Sequence, residues 1–158
     1  MSIKTHIEDA EHLWARGRKE GAWTQALIAA AATARKRYPK PISDSQAFKS
    51  FICDIAGVII TGSTGGASPT FIRFYTDNRG DHRKLEDIFY TELRCNLIHE
   101  AELKEVGFSE SKLVDGRYEG TLAVPTRGQA EIPDFWMLHL IAAIKAAPEN
   151  SDEFLAAI

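Results

Sequence analysis

Residues 23–38, WTQALIAAAATARKRY, decide the fold class. Trp23, Leu27, Ala30, Ala31, Ala34 and Tyr38 recur with the period of a helix that has one apolar face. The alanines favour that helix and allow a neighbouring helix to approach closely. Pro39 and Pro41 stop it. Towards the N-terminus, Ile3, Ile7, Ala10 and Trp14 form a second stripe that ends near Gly17. Towards the C-terminus, Ser43 or Asp44 is placed to cap a third helix, with Phe48, Phe51, Ile52 and Ile55 facing inward. Residues 61–70, TGSTGGASPT, read as a loop because glycine and proline break either period. A long helix follows over about Asp81 to Leu103, with Leu85, Ile88, Phe89, Leu93 and Leu97 as its stripe and Gly107 beyond its end.

From Val106 to Val124 the pattern changes to short strand-like pieces. Asp115-Gly116 is a hairpin signal, which makes Leu113–Val114 and Tyr118–Val124 parts of a small antiparallel ribbon. Pro133 suits the first turn of a last helix lined by Phe135, Leu138, Ile141, Ala142 and Ile144 and stopped at Pro148. Residues 149–158 add at most a short turn. The expected architecture is a single domain over 1–158. It is mainly all-α, a bundle of roughly four to five helices with a small β-hairpin before the last helix.

Composition sets the outer bounds. The 158 residues carry 19 basic and 22 acidic side chains, which argues against coating nucleic acid by bulk charge but leaves room for a local basic site. Two cysteines, Cys53 and Cys95, are too few for a disulfide scaffold or a thiolate zinc site. The N-terminal residues lack the basic-then-apolar order of a secretory signal. The longest apolar run, Ala26 to Ala34, is far short of a membrane span. A reduced, cytoplasmic setting is therefore expected, with no membrane contact.

The long fourth helix holds the one segment with chemical content, Glu92-Leu93-Arg94-Cys95-Asn96-Leu97-Ile98-His99-Glu100. At about 100° per residue, Asn96 falls within the apolar stripe, His99 on its edge and Glu92 between them. Unpaired polar groups on a buried face cost on the order of 1–3 kcal/mol each, so the notch needs a reason. One reason is a hydrogen-bond network between helices. Another is a site where His99 exchanges a proton near neutral pH. On the same wheel Arg94 projects about 140° from His99, so the two meet one ligand only along an edge or across a dimer.

Arg94 and His99 form an Arg-x4-His pair, and the segment around them resembles the motif helix of bacterial HEPN domains. The stretch Gly17-Arg18-Lys19-Glu20-Gly21-Ala22 and its Ala-rich continuation to Pro39 is similar to the opening helices of the same helical-bundle superfamily. That resemblance implies a homodimer whose paired motif helices build a metal-independent ribonuclease cleft. His99 would activate the ribose 2′-hydroxyl or protonate the leaving oxygen, and Arg94 would stabilise phosphate charge. The products would be a 2′,3′-cyclic phosphate and a 5′-hydroxyl, with no cofactor and no metal. The family often carries Asn, Asp or His directly after the arginine. Here Cys95 stands there, and the asparagine follows as Asn96. A non-catalytic module that binds RNA, a nucleotide or a protein partner is the alternative. A toxin or defence role, with an antitoxin or nucleotidyltransferase partner, would fit the family. Asn96, Glu92, Cys95 and Glu100 are the supporting polar candidates.

Other motifs lead to less. Residues 57–64, GVIITGST, mimic a phosphate loop but lack its lysine, and Gly57 lies within a helical pattern. His99-Glu100 meets Leu103 where a zincin has its second histidine. His6, His12, His82 and His139 have no metal-ligand spacing, and His139 reads as a packed or surface residue. Arg35, Lys36 and Arg37 complement a helix C-terminus, whereas Arg16, Arg18 and Lys19 straddle a helix junction and read as solvated. Arg79, Arg83 and Lys84, which lead into the motif helix, are the phosphate-contact candidates.

Overall fold

Why the chain becomes mainly helical is visible at its caps and stripes. The computed structural model describes residues 2–63, 73–75, 82–100, 106–120, 122 and 130–154. At residues 73–75, 82, 83, 100, 106, 117 and 130 it describes the backbone only. Helix α1 (Ile3–Ala15) starts at Ser2, whose hydroxyl accepts from the Thr5 N–H at 3.1 Å. Helix α2 (Lys19–Arg37) is the Ala-rich stretch, and α3 (Asp44–Thr61) starts at Ser43, which accepts from the Gln46 N–H at 3.2 Å. Helix α3 ends where Gly62 takes φ +73° and its N–H meets the Val58 carbonyl at 2.7 Å, a conformation that favours glycine.

Strands β1 (Arg73–Tyr75) and β2 (His82–Lys84) pair antiparallel. One α-helical turn, α4 (Leu85–Asp87), then leads directly into a π-helix, Ile88–Glu100. The expected long α-helix is corrected here in two ways. Residues 82–84 are extended and paired, so the helix begins at Leu85, and the motif segment is wound with i→i+5 hydrogen bonds. Strand β3 (Val106–Ser109) lies parallel to β6 (Ala130–Pro133), and β4 (Lys112–Val114) pairs antiparallel with β5 (Arg117–Glu119) across Asp115-Gly116. The turn matches its Asp-Gly signal, with positive φ at both residues, 49° and 76°, but the second strand ends at Glu119 instead of running on to Val124, and residues 121, 123 and 124 lie outside the described residues. The β3–β6 pairing lacks a local signal, because its partners are far apart in sequence.

Pro133 ends β6 instead of opening a helix; the last long helix, α5 (Trp136–Ala146), begins after a turn at Asp134-Phe135. Its buried face is Trp136, Met137, Leu140, Ile141, Ala143 and Ile144, so Phe135, Leu138 and Ala142 are only half-buried. A short 3₁₀ turn (Pro148–Asn150) and α6 (Ser151–Phe154) close the described chain. The core sits between α2, α3, α5 and the π-helix. Trp23 is its pin: fully buried, stacked on Phe108 at 4.9 Å, edge-on to Phe89 at 5.8 Å, and donating its indole N–H to the Asp134 carbonyl at 3.1 Å. Among the described residues, no helix is long and apolar enough to cross a membrane.

Candidate functional site

The motif residues divide by depth along the π-helix. Leu93 and Leu97 are buried and hold it against the core, and Glu92 is buried with them, at 6% exposure. Arg94, Cys95 and Asn96 are half-buried, whereas His99 is exposed. A π-helix has more residues per turn than the 3.6 of an α-helix, and its hydrogen bonds join residue i to residue i+5. Arg94 and His99 are five apart. They therefore stand one turn apart on one side of the helix, and the wide angle expected from α-helical geometry is corrected. The exposure of His99 also removes it from any buried network with Glu92 and Asn96.

Arg94 reaches back towards α3. Its guanidinium carbon lies 5.6 Å from the Phe48 ring centroid and 5.3 Å from that of Tyr90, a cation–π arrangement that holds the planar group in place. Its Nε is buried and has no hydrogen-bond partner among the described residues. Near the N-terminus of α3, Asp44 pairs with Arg35. That hydrogen bond and charge, joined by weaker contributions from Arg94 and Lys40, hold the Asp44 carboxyl below its ordinary range. Arg94 thus stands where α2, α3 and the π-helix meet.

Glu92 faces a different opening. With Lys49, Asp87 and Thr91 it lines a cleft of about 280 Å3, where Lys49 pairs with Asp87 at 3.1 Å and lies 5.3 Å from the Tyr90 centroid. Lys84 is exposed just before α4. The side chains of Arg83 and Glu100, and all of Arg79, lie outside the described residues. Cys53 and Cys95 are both free and half-buried, and burial raises the Cys53 thiol above its ordinary value.

Two features escaped the sequence reading. Lys19, expected to be solvated, pairs with Asp134 at 2.5 Å; its side chain is 34% exposed and that of Asp134 is 1% exposed. The second is a cleft of about 490 Å3 lined by Ile60, Thr61, Gly62, Tyr118, Phe135 and His139. His139, expected to be packed or at the surface, is half-buried, with Nδ1–H donating to the Ile59 carbonyl at 2.6 Å and its ring edge-on to Phe135 at 5.2 Å. The i,i+4 spacing of Phe135 and His139 was a local signal for their contact. The return of α5 to the end of α3 had none.

Fold and site together define a mainly helical protein in which a π-helix carries an Arg-x4-His pair. The chain belongs to the Rv1289 family, whose model matches residues 2–157. Comparison with curated proteins and with solved structures gave no match.

Proposed function

We propose that this chain is a metal-independent endoribonuclease of toxin or defence type that acts as a homodimer through Arg94 and His99. The observation that carries the reading is the winding of the motif helix: residues five apart occupy successive turns, and His99 is exposed. An exposed imidazole is available to exchange a proton with a bound substrate. In the proposed reaction a His99 takes the proton of the ribose 2′-hydroxyl, whose oxygen attacks the adjacent phosphorus. The 5′-oxygen leaves and takes a proton from the second copy's His99. Arg94, oriented by Phe48 and Tyr90, stabilises the added charge on the phosphate oxygens. Asn96 and Cys95 flank the pair as supporting groups.

The packing of Arg94 on two aromatic rings favours one other reading, a dimeric module that binds RNA, a nucleotide or a protein partner without cleaving RNA. Incubating purified protein with a broad RNA panel in excess EDTA separates the two, with Arg94→Ala and His99→Ala beside it. Cleavage that survives EDTA and is lost in both variants is the expected result. Intact RNA with a confirmed dimer would favour the binding module.

A further inference from the structure

The cleft between the end of α3, strand β5 and the start of α5 has a polarity that selects its ligand. Its floor is a helix C-terminus. Ile60 and Thr61 line the cleft, and their carbonyls lie beyond the reach of α3's own donors, at the negative end of the helix dipole. The remaining groups there are already engaged. The Thr61 hydroxyl donates to the Gly57 carbonyl at 2.7 Å, and Nδ1 of His139 donates to the Ile59 carbonyl at 2.6 Å. A carbonyl can only accept, so Nδ1 carries the hydrogen and Nε2 of the neutral ring is an acceptor. Nε2 rests against Gly62, where a Cβ would come within 2.7 Å of it. Glycine at this position thus serves both the positive φ and the seat of the imidazole. Among the described residues, Nε2 makes no hydrogen bond.

The other wall is aromatic. Tyr118 stacks on Phe135 at 5.8 Å with 14° between the planes, and Tyr118 remains 40% exposed, so part of this ring system faces solvent. A stacking surface beside a row of acceptors favours a flat ring that carries N–H donors, and it disfavours a phosphate or carboxylate. The volume of about 490 Å3 falls in the range of small-molecule sites. We propose that this cleft binds an amino-bearing heteroaromatic ring, as in adenine or cytosine, which stacks on Tyr118 and donates an N–H to Nε2 of His139. The ring could belong to a free nucleoside or to a base of an RNA strand. This goes beyond the Arg94–His99 reading and stands or falls separately from it.

The test is a titration of the isotope-labelled full chain with adenosine, cytidine, uridine, oligoadenylate and oligouridylate, followed by amide chemical shifts. Adenosine and cytidine should move the amides around Gly62, Tyr118 and His139, and uridine, whose one ring N–H is flanked by two carbonyl oxygens that would meet the cleft's own acceptors, should bind at least about tenfold more weakly. Shifts from oligoadenylate but not adenosine would assign the base of a strand. His139→Asn retains a donor for the Ile59 carbonyl and removes Nε2. It should lower the melting temperature by no more than about 2–4 °C, for the lost ring packing, while weakening adenosine binding about tenfold or more. Tyr118→Leu should weaken it independently, and His99→Ala should not change it. No shift with any of the five, equal affinity for uridine, or unchanged binding in both His139→Asn and Tyr118→Leu would overturn the proposal.

Discussion

Trp23 joins four parts of the fold, since its ring meets Phe89 on the π-helix and Phe108 on β3, and its N–H meets the turn at Asp134. Trp23→Ala should cost about 3–5 kcal/mol, read as a lower denaturant midpoint or melting temperature. A fully stable variant would contradict its place in the core. Its helical spacing made its inward direction legible in the sequence. The neighbouring Asp134 was not legible, because the residues that surround it come from distant segments. Both its oxygens are buried without a hydrogen bond among the described residues, and the charge is met ionically by Lys19. Lys19→Met should therefore cost on the order of 2 kcal/mol, below the usual cost of breaking a buried pair because Lys19 is partly exposed. At about 2–4 °C per kcal/mol for a chain of this size, the loss is readable by thermal unfolding. Adding Asp134→Asn should recover much of it; a double variant no more stable than Lys19→Met would argue against the ion pair.

At the scale of elements, the helices with one apolar stripe and a Ser cap were readable: α1 and α3 begin at Ser2 and Ser43, and Phe48, Phe51, Ile52 and Ile55 are all buried. The motif helix was readable in place but not in winding, since Leu85, Ile88, Phe89, Leu93 and Leu97 fit an α-helical stripe and yet sit on a segment that turns to i→i+5 bonding. For the candidate site this distinction matters more than any single residue, because the winding sets whether Arg94 and His99 share a side. The C-terminal turn also had little local signal. It is tied to α2 by Arg37, whose Nε meets Glu149 at 2.8 Å, and by Asn150, which donates to the Thr33 hydroxyl at 2.9 Å. The Arg37 hydrogen bond holds the Glu149 carboxyl below its ordinary value. A depressed carboxylate stabilises the fold above its unfolded pKa, and that contribution is lost as pH falls through the folded value. Glu149→Gln should therefore lower stability at pH 7 and flatten the decline of melting temperature below about pH 4.5. An unchanged acid limb would show that this pair does not couple to folding.

For the molecule as a whole, the helical bundle and its inserted hairpin were open to sequence reasoning because each depends on short-range period or turn chemistry. The parallel β3–β6 pair, the Lys19–Asp134 contact and the His139 cleft were not, since each is created when segments far apart in sequence are brought together. The proposed ribonuclease cleft lies one level higher still, between two copies of the chain. Its most direct test is end analysis of RNA incubated with the protein in excess EDTA, alongside Arg94→Ala and His99→Ala. The account predicts 2′,3′-cyclic phosphate and 5′-hydroxyl ends from the wild-type protein and none from either variant. Intact RNA, or the same ends persisting in both variants, would contradict it.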